Sequence, residues 1–378
     1  MIEYDDQGQQ VCREQSDSFF AHIKEVNRRK AYHIIVVFVH GWHHNAGSGD
    51  SNIYSFGKLL NKIKEKYDTA VSGVYVGWRG AVEYLNFSPV KYFTFWDRKN
   101  VSMVIGNGAI AELFVRLEKL SKESDNTKLL FIGHSFGGSV VFSALNNIFQ
   151  ERFVHSFKNG EEISSSVKGV GDMVILMNPA FEATLYAPVR DIAEEKKYGD
   201  RQPPRLLVLT SEKDWATRYA FPAGRFIGTF FETRNTMTRK DRFGKDRHFS
   251  QYAMDHKALG HYKPYITHEL YIEKNKPQRR ESNYDYWLTK AIKERKKHDP
   301  NGEKWTYTFE SGLTLKHMGR SAAANPYYIV KVDGDIIPDH NNIFDDRLIQ
   351  FFKELITPVL IDIPTQKADY RKKPYEKK

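Results

Sequence analysis

A serine flanked by glycines is the strongest chemical signal in the sequence. Ser135 lies between Gly133 and Gly137, and the four large apolar residues at 129–132 predict a buried strand before it. The small and apolar residues after Gly138 predict a helix. A serine at such a sharp strand-to-helix corner needs neighbours without a Cβ, and its hydroxyl is then accessible for nucleophilic attack. The alternative is a structural glycine-rich turn, because the spacing of the glycines alone is a weak signal.

A carboxylate and a histidine that could activate this serine follow later predicted strands. A serine hydroxyl becomes a good nucleophile when an imidazole accepts its proton and a carboxylate orients the imidazole. Asp214 follows a predicted strand at 205–210, and His340 follows one at 327–332. We predict Ser135 as nucleophile, His340 as general base and acid, and Asp214 as the orienting carboxylate. The competing carboxylates are Glu212, Asp333 and Asp335, and the alternative for His340 is a loop histidine that bonds only to local backbone.

A first group of histidines follows a continuous apolar, β-branched run. His40 and Gly41 precede Trp42, whose backbone N–H we predict to form an oxyanion hole together with that of Phe136. We also place His40, Gly41 and His134 at the substrate, with His134 packed under the serine turn rather than reacting. The alternative is a metal site built from His40, His43, His44 and Asp50. The strand context favours the oxyanion loop, so we predict no metal.

Six predicted strands alternate with predicted helices along the chain. They lie at 34–39, 71–77, 129–132, 172–177, 205–210 and 327–332. Such alternation predicts an α/β fold with a mostly parallel, doubly wound sheet. Sheets of this kind bind ligands at the carboxyl ends of their strands, and four polar residues lie just past such ends: His40, Ser135, Asp214 and His340. The sequence therefore predicts that these side chains converge on one edge of the sheet.

The sequence resembles the α/β-hydrolase superfamily, specifically its serine esterase and lipase branch. The resemblance rests on residues 36–41, the motif at 133–138, the strand that ends before Asp214, and His340 ahead of a terminal helix. It covers most of the chain outside residues 215–325. The resemblance implies hydrolysis of carboxylic esters through a covalent acyl-serine, without a metal or organic cofactor. We expect a lipophilic substrate, with phospholipids included, while amide and thioester cleavage use the same three residues and stay open.

The segment 215–325 separates Asp214 from His340 and carries the whole excess of positive charge. It holds 22 Lys and Arg against 12 Asp and Glu, whereas the rest of the chain holds 35 of each. We predict a basic, aromatic-rich cap or lid inserted between the last two strands. Its charge has three interpretations: attraction to an anionic phospholipid surface, an ordinary solvated cap, or nucleic-acid binding, which no motif supports. The competing function is an inactive hydrolase scaffold that binds lipid or nucleic acid.

Length and composition set the remaining expectations. The predicted organisation is a core at 1–214 and 326–366, the cap at 215–325, and a disordered basic tail at 367–378. The single cysteine, Cys12, excludes an internal disulfide. Since no signal sequence and no apolar stretch of about 18 residues is found, we expect a cytoplasmic protein that could associate peripherally with membranes. The aromatic-rich segment at 82–100 either covers the sheet or forms a wall of an apolar acyl pocket.

Overall fold

The structure, a computed structural model, describes most of the chain. The described residues are 1–29, 32–41, 44, 47, 49–78, 90–155, 157–158, 161–162, 167–196, 198–199, 202–228, 235–241, 243–273, 287, 291 and 304–360. Trp42, His43, the aromatic side chains of the segment 82–100, and the predicted tail at 367–378 lie outside this description.

The strands are numbered in chain order. They are β1 (Ile2–Tyr4), β2 (His33–Val39), β3 (Ala70–Trp78), β4 (Thr127–His134), β5 (Phe157–Lys158), β6 (Glu161–Glu162), β7 (Met173–Met177), β8 (Leu206–Ser211), β9 (Thr236–Lys240), β10 (Asp246–Ser250), β11 (His268–Ile272), β12 (Trp305–Thr308), β13 (Leu313–His317) and β14 (Tyr327–Val332).

The helices are numbered in the same way. They are α1 (Arg13–Arg28), α2 (Ser51–Tyr67), α3 (Val90–Asn107), α4 (Ala109–Lys122), α5 (Phe136–Val154), α6 (Ala183–Glu195), α7 (Phe221–Gly228), α8 (Gln251–His256) and α9 (Asp346–Ile356). A π-helical turn at Ala216–Ala220 precedes α7, and 3₁₀ turns lie at Leu259–His261, Lys263–Tyr265 and Thr357–Val359. Within the described residues, no helix is both long enough and apolar enough to cross a bilayer.

The main sheet contains ten of the described strands, in the order β1-β3-β2-β4-β7-β8-β14-β11-β13-β12. The first eight are parallel, β13 pairs antiparallel with β11, and β12 pairs antiparallel with β13. Alternate side chains enter two apolar layers; in β2, Ile35, Val37 and Val39 enter one layer and Ile34, Val36 and Phe38 the other. Helices α1, α4, α5 and α6 cover the first face, and α2 and α9 cover the second. The predicted α/β fold with a mostly parallel, doubly wound sheet is confirmed.

All six predicted strands lie in this sheet, but part of the segment 215–325 joins it as well. Strand β11 pairs in parallel with β14, and β13 and β12 continue the sheet beyond β11. A cap is therefore the wrong description for β11, β12 and β13, which belong to the central sheet. The charged and aromatic residues of the segment did not distinguish β11, β12 and β13 from the rest of it. Short strands at the end of a sheet carry charged and aromatic residues as well. Strands β9 and β10 form a hairpin of their own.

The start of α5 packs directly against the end of β2. An added Cβ on Gly137 would lie 2.2 Å from the Val39 carbonyl oxygen and 2.4 Å from that of His40. No side chain fits at such distances, so glycine is what lets the helix approach the strand end. A Cβ on Gly41 would likewise lie 2.7 Å from the Ser135 Cβ. These contacts bring the β4–α5 corner against the residues that follow β2.

We predict that Gly137→Ala destabilises the fold, because its methyl group overlaps backbone oxygens that cannot move aside. The free energy of unfolding should fall by about 3 kcal/mol or more, measured by urea denaturation. Gly57→Ala is the matched control, since Gly57 lies in α2 with no atom within 4 Å of an added Cβ. That variant should gain about 0.5–1 kcal/mol. Equal stability of the two variants would contradict the packing argument.

Candidate active site

The corner between β4 and α5 holds Ser135 in a strained backbone conformation. Its φ is 55° and its ψ is −123°, a combination that residues with a side chain rarely adopt. The Ser135 N–H donates to the Met177 carbonyl oxygen at 3.0 Å. The Ser135 carbonyl oxygen accepts from the backbone N–H groups of Gly138 and Ala180, both at 3.0 Å. Backbone hydrogen bonds from α5 and from the neighbouring strand β7 therefore fix this corner.

The side chains of Ser135, His340 and Asp214 form a hydrogen-bonded chain. His340 Nε2 is 2.8 Å from Ser135 Oγ, and His340 Nδ1 is 2.9 Å from Asp214 Oδ1. Because a carboxylate can only accept, Nδ1 carries the proton, and Nε2 is left to accept the proton of the serine hydroxyl. Asp214 is buried, whereas the His340 ring is partly exposed. The structure brings the three predicted residues together in the order that activation of a serine requires.

Asp214 is held by the helical residues that directly follow it. Its Oδ1 accepts from the backbone N–H of Ala216 at 3.0 Å and of Thr217 at 3.3 Å, as the side chain of a helix N-cap does. Its Oδ2 accepts from the Thr217 hydroxyl. Burial alone would raise the pKa of Asp214, but the hydrogen bonds from His340 and Thr217 outweigh burial and hold that pKa below its usual value. Asp214 is therefore ionised at neutral pH.

A further histidine extends the chain beyond Asp214. Thr217 Oγ1 lies 2.9 Å from Nε2 of His261, which ends the 3₁₀ turn Leu259–His261. Since the Thr217 hydroxyl donates to Asp214, it accepts from His261, so Nε2 of that ring carries a proton. Burial lowers the pKa of His261 to about 4, which leaves the ring neutral near pH 7. His261 thus fixes the direction of the hydroxyl that holds Asp214.

The main-chain carbonyl of His340 is anchored from two other strands. It accepts from His134 Nε2 at 2.9 Å and from Asn178 Nδ2 at 2.9 Å. Asn178 has a φ of 44° and accepts from the Ser211 N–H at 3.0 Å through its side-chain oxygen. These bonds fix the loop after β14, and with it the position of the His340 ring between Ser135 and Asp214.

The predictions that His134 and His40 contact substrate do not agree with their positions. His134 is buried and bonds to the His340 carbonyl, which agrees with its predicted packing under the serine turn. His40 is also buried, accepts from the Trp78 N–H at 3.1 Å through Nε2, and donates to the Gly41 carbonyl oxygen at 2.8 Å through Nδ1. Both rings bond to backbone groups near Ser135, so they hold the site in position from its buried side.

The predicted oxyanion donors lie on two sides of Ser135. Phe136 is the first residue of α5, so its N–H belongs to the helix N-terminus, where partial positive charge accumulates. Gly41, two residues after the end of β2, packs against Ser135. Trp42, the second predicted donor, lies outside the described residues. The oxyanion hole therefore stays a prediction, with the start of α5 in the position that it requires.

The competing carboxylates bond elsewhere. Glu212 pairs with Lys331 at 3.3 Å, Asp335 pairs with Lys213 at 2.9 Å, and Asp333 accepts from the Asp335 N–H. Of the histidines weighed as metal ligands, His44 contacts Asp50 at 3.0 Å, and His40 bonds to the backbone of Gly41 and Trp78. In the part of the chain that the structure describes, no three His, Cys, Asp or Glu side chains are arranged to hold a metal ion.

Three residues of the site were not found from the sequence. Asn178 directly follows β7, so the rule that placed Asp214 and His340 at strand ends could have found it. Thr217 lies three residues after Asp214, a spacing that helix capping makes significant only once the helical turn is known. His261 carries no local signal, because its contact with Thr217 depends on how the segment after α8 folds back.

A match to a protein-family model agrees with this fold. The model of a family described as "Alpha/beta hydrolase of unknown function (DUF900)" matches residues 15–220, a range that includes Ser135 and Asp214 and ends before His340. No curated protein matches the chain. Among solved structures, phospholipase PlaB from Legionella pneumophila in complex with thio-NAD is 15% identical, over 58% of this chain and 48% of that chain, with a TM-score of 0.25. The chain thus spans about half the length of that protein's chain.

We predict that Thr217→Val slows the reaction of Ser135 with a fluorophosphonate by about 10- to 100-fold. The substitution keeps the volume of the side chain but removes the hydroxyl that donates to Asp214, so the pKa of Asp214 rises and the His340 ring loses its fixed direction. Thr217→Ser keeps the hydroxyl and should react nearly as fast as the wild type. The labelling rate as a function of pH measures both effects. A Thr217→Val variant labelled at the wild-type rate would show that the hydroxyl does not matter.

We predict that acid destabilises the fold through its buried histidines. Burial lowers the pKa of His134 to about 3 and that of His40 to about 4, below the ordinary 6.5. Below pH 6.5 these histidines bind protons in the unfolded chain but not in the folded chain. The free energy of unfolding therefore falls as the pH drops toward about 4. Each ring should account for about 2 kcal/mol between neutral pH and about pH 5.

Urea denaturation at the two pH values tests the contribution of one ring. His134→Gln keeps a donor group without a titrating proton, so the variant should lose less stability on acidification than the wild type does. His155→Gln is the control, because His155 is exposed at the end of α5 and should leave the difference unchanged. An identical acid loss in all three proteins would contradict the assignment to His134.

Proposed function

We propose that this chain, which belongs to the α/β-hydrolase family DUF900, is a serine hydrolase that cleaves carboxylic esters. Family membership supports a hydrolase. The observation that carries the proposal of ester cleavage is the position of the His340 ring. Its Nε2 lies 2.8 Å from Ser135 Oγ, and its Nδ1 lies 2.9 Å from Asp214 Oδ1. These three side chains are far apart in the sequence, and they meet in the order that the chemistry requires. A serine hydroxyl needs a base, and the base needs an orienting anion.

In the first half of the proposed reaction, Ser135 Oγ attacks the ester carbonyl carbon while His340 Nε2 accepts the hydroxyl proton. The imidazolium that forms is stabilised by the ionised Asp214. The carbonyl oxygen becomes an oxyanion beside the start of α5, where the Phe136 N–H would stabilise it. The tetrahedral intermediate then collapses, the C–O bond to the alcohol breaks, and His340 returns its proton to the leaving oxygen. The products of this half are the free alcohol and an acyl group on Ser135.

In the second half, water replaces the alcohol. His340 Nε2 takes a proton from the water, whose oxygen attacks the acyl carbon, and a second oxyanion forms in the same position. Collapse of this intermediate breaks the bond to Ser135 Oγ, which recovers its proton from His340 and releases a carboxylic acid. The cycle needs only a proton that moves between the two oxygens and one imidazole, so no metal or organic cofactor takes part in it.

A lipophilic acyl group is the substrate class that we propose. Exposed aromatic side chains begin directly after the orienting carboxylate, with Trp215 adjacent to Asp214 and Tyr219 one turn later. Aromatic rings at this position offer apolar area to an acyl chain that approaches Ser135. Activity on p-nitrophenyl esters should therefore increase with acyl chain length, and it should exceed activity on the matching anilides.

We predict that Ser135→Ala abolishes ester hydrolysis and that His340→Ala lowers its kcat by about 10⁴-fold or more. The first change removes the attacking oxygen, and the second removes the group that takes its proton. Release of p-nitrophenol measures turnover, and covalent labelling by a fluorophosphonate shows whether Ser135 itself reacts.

Ser139→Ala is the matched control for these variants. Ser139 also lies in α5, but its hydroxyl is buried and accepts from Ser102 Oγ at 3.1 Å. This variant should be labelled and should turn over substrate as the wild type does. Labelling that persists in Ser135→Ala would contradict the nucleophile. A wild-type protein that is neither labelled nor active with any ester would favour an inactive scaffold.

A further inference from the structure

The helical run after Asp214 exposes aromatic side chains on its outer side. It comprises the π-helical turn Ala216–Ala220 and α7, and its buried side carries Thr217 and Phe221. On the other side, the exposed fractions are 56% for Trp215, 54% for Tyr219 and 49% for Phe226. Intervals of four and seven residues place these three rings along one stripe of a helix. This stripe inverts the usual pattern, in which the side away from the core is polar.

The stripe continues onto the neighbouring helix α8. The Phe226 ring lies 6.4 Å from the buried His256 ring, and Tyr252 stacks on that same ring at 4.1 Å between centroids. Tyr252 is itself 42% exposed. Trp215, Tyr219, Phe226 and Tyr252 are called the aromatic face below.

Basic side chains lie beside the aromatic face. The Arg218 guanidinium lies 5.3 Å from the centre of the Tyr219 ring, and both side chains are exposed. Lys257 is exposed directly after α8, and Lys213, which pairs with Asp335, is exposed directly before Asp214. From Lys213 to Lys263 the sequence holds eleven Lys and Arg against five Asp and Glu. An apolar surface with cations at its border matches a partner that is apolar within and anionic at its surface.

We propose that the aromatic face docks this protein onto the surface of a lipid bilayer that contains anionic phospholipids. Tryptophan and tyrosine favour the headgroup level of a membrane, because their rings have an apolar body and a polar atom. Arg218 and the lysines would lie among the phosphate groups, where each basic side chain near an anionic surface adds attraction. A helix that lies flat in the interface needs no apolar groove and no partner protein.

This inference goes beyond the proposed reaction, since docking needs no chemistry at Ser135. It also connects the two, because Trp215 directly follows Asp214 in the chain. Docking through the aromatic face would hold the start of the helical run at the bilayer surface. This is the end of the run that lies next to Asp214. An ester embedded in the membrane would then reach Ser135 without leaving the lipid phase entirely.

Co-sedimentation with vesicles tests the proposal, with Ser135→Ala as the protein so that lipid hydrolysis cannot interfere. Vesicles of phosphatidylcholine alone are compared with vesicles that also contain phosphatidylserine, at about 0.05 M and about 0.5 M salt. We expect binding to the anionic vesicles at low salt, and at least about tenfold weaker binding at high salt or without phosphatidylserine. Trp215→Ser combined with Tyr219→Ser and Phe226→Ser should lower the vesicle affinity at least about tenfold.

Tyr54→Ser is the matched control. Tyr54 is 68% exposed on α2, beneath the Lys58 ammonium at 4.5 Å, but α2 covers the opposite face of the sheet. This variant should bind vesicles as the parent protein does. Urea denaturation of the triple variant with the same midpoint as the parent protein shows that its fold is intact.

Three results would overturn the proposal. The first is a parent protein that stays in the supernatant with anionic vesicles at low salt, and the second is a triple variant that binds them as well as Tyr54→Ser does. The third is self-association, measured by light scattering without lipid, that the triple variant abolishes, because the aromatic face would then meet a second copy of the chain. None of these depends on ester hydrolysis, so the docking surface and the proposed reaction can fail separately.

Discussion

The hydrogen bonds to the main-chain carbonyl of His340 are the constraint on which the site depends. His340 lies in a loop after β14 and belongs to no helix or strand itself. The anchors come from His134 at the end of β4 and from Asn178 just after β7. Asn178 is in turn bonded to β8 through Leu209 and Ser211. Four neighbouring strands of the sheet thus determine where one imidazole lies, and the distance between Ser135 and Asp214 is set by the same strands.

The helical run after Asp214 serves the site and the surface at once. Its inner side carries Thr217, which donates to Asp214, while its outer side carries Trp215 and Tyr219. The run begins with a π-helical turn, and such turns shift the side chains that follow them around the helix axis. Thr217 and Tyr219 are two residues apart and lie on opposite sides of the run, so they face the buried carboxylate and the solvent respectively. A substitution at Tyr219 is therefore only two residues from Thr217, which donates to Asp214.

The sequence could predict the residues whose positions follow from topology. Ser135, Asp214 and His340 each follow a parallel strand, and the carboxyl ends of parallel strands meet at one edge whatever the loops do. The same rule failed for the side-chain direction of His40, because a residue at a strand end can turn inward as easily as outward. Thr217 and His261 depend on how a long segment folds back, which local patterns do not encode. Strands β11, β12 and β13 were missed because their short length and mixed polarity give little periodicity.

Strands β11, β12 and β13 also change the strand that forms the edge of the sheet. Without β11, β12 and β13, the sheet would end at β14. The side chains of β14 are largely buried and apolar, and the backbone N–H and C=O groups of its six residues would be unpaired on one side. With these strands, the described sheet ends at β12, which has four residues, and its other edge is β1, which has three. Short edge strands give another molecule little backbone to pair with. The segment between Asp214 and His340 thus leaves a sheet of ten described strands with short strands at both edges.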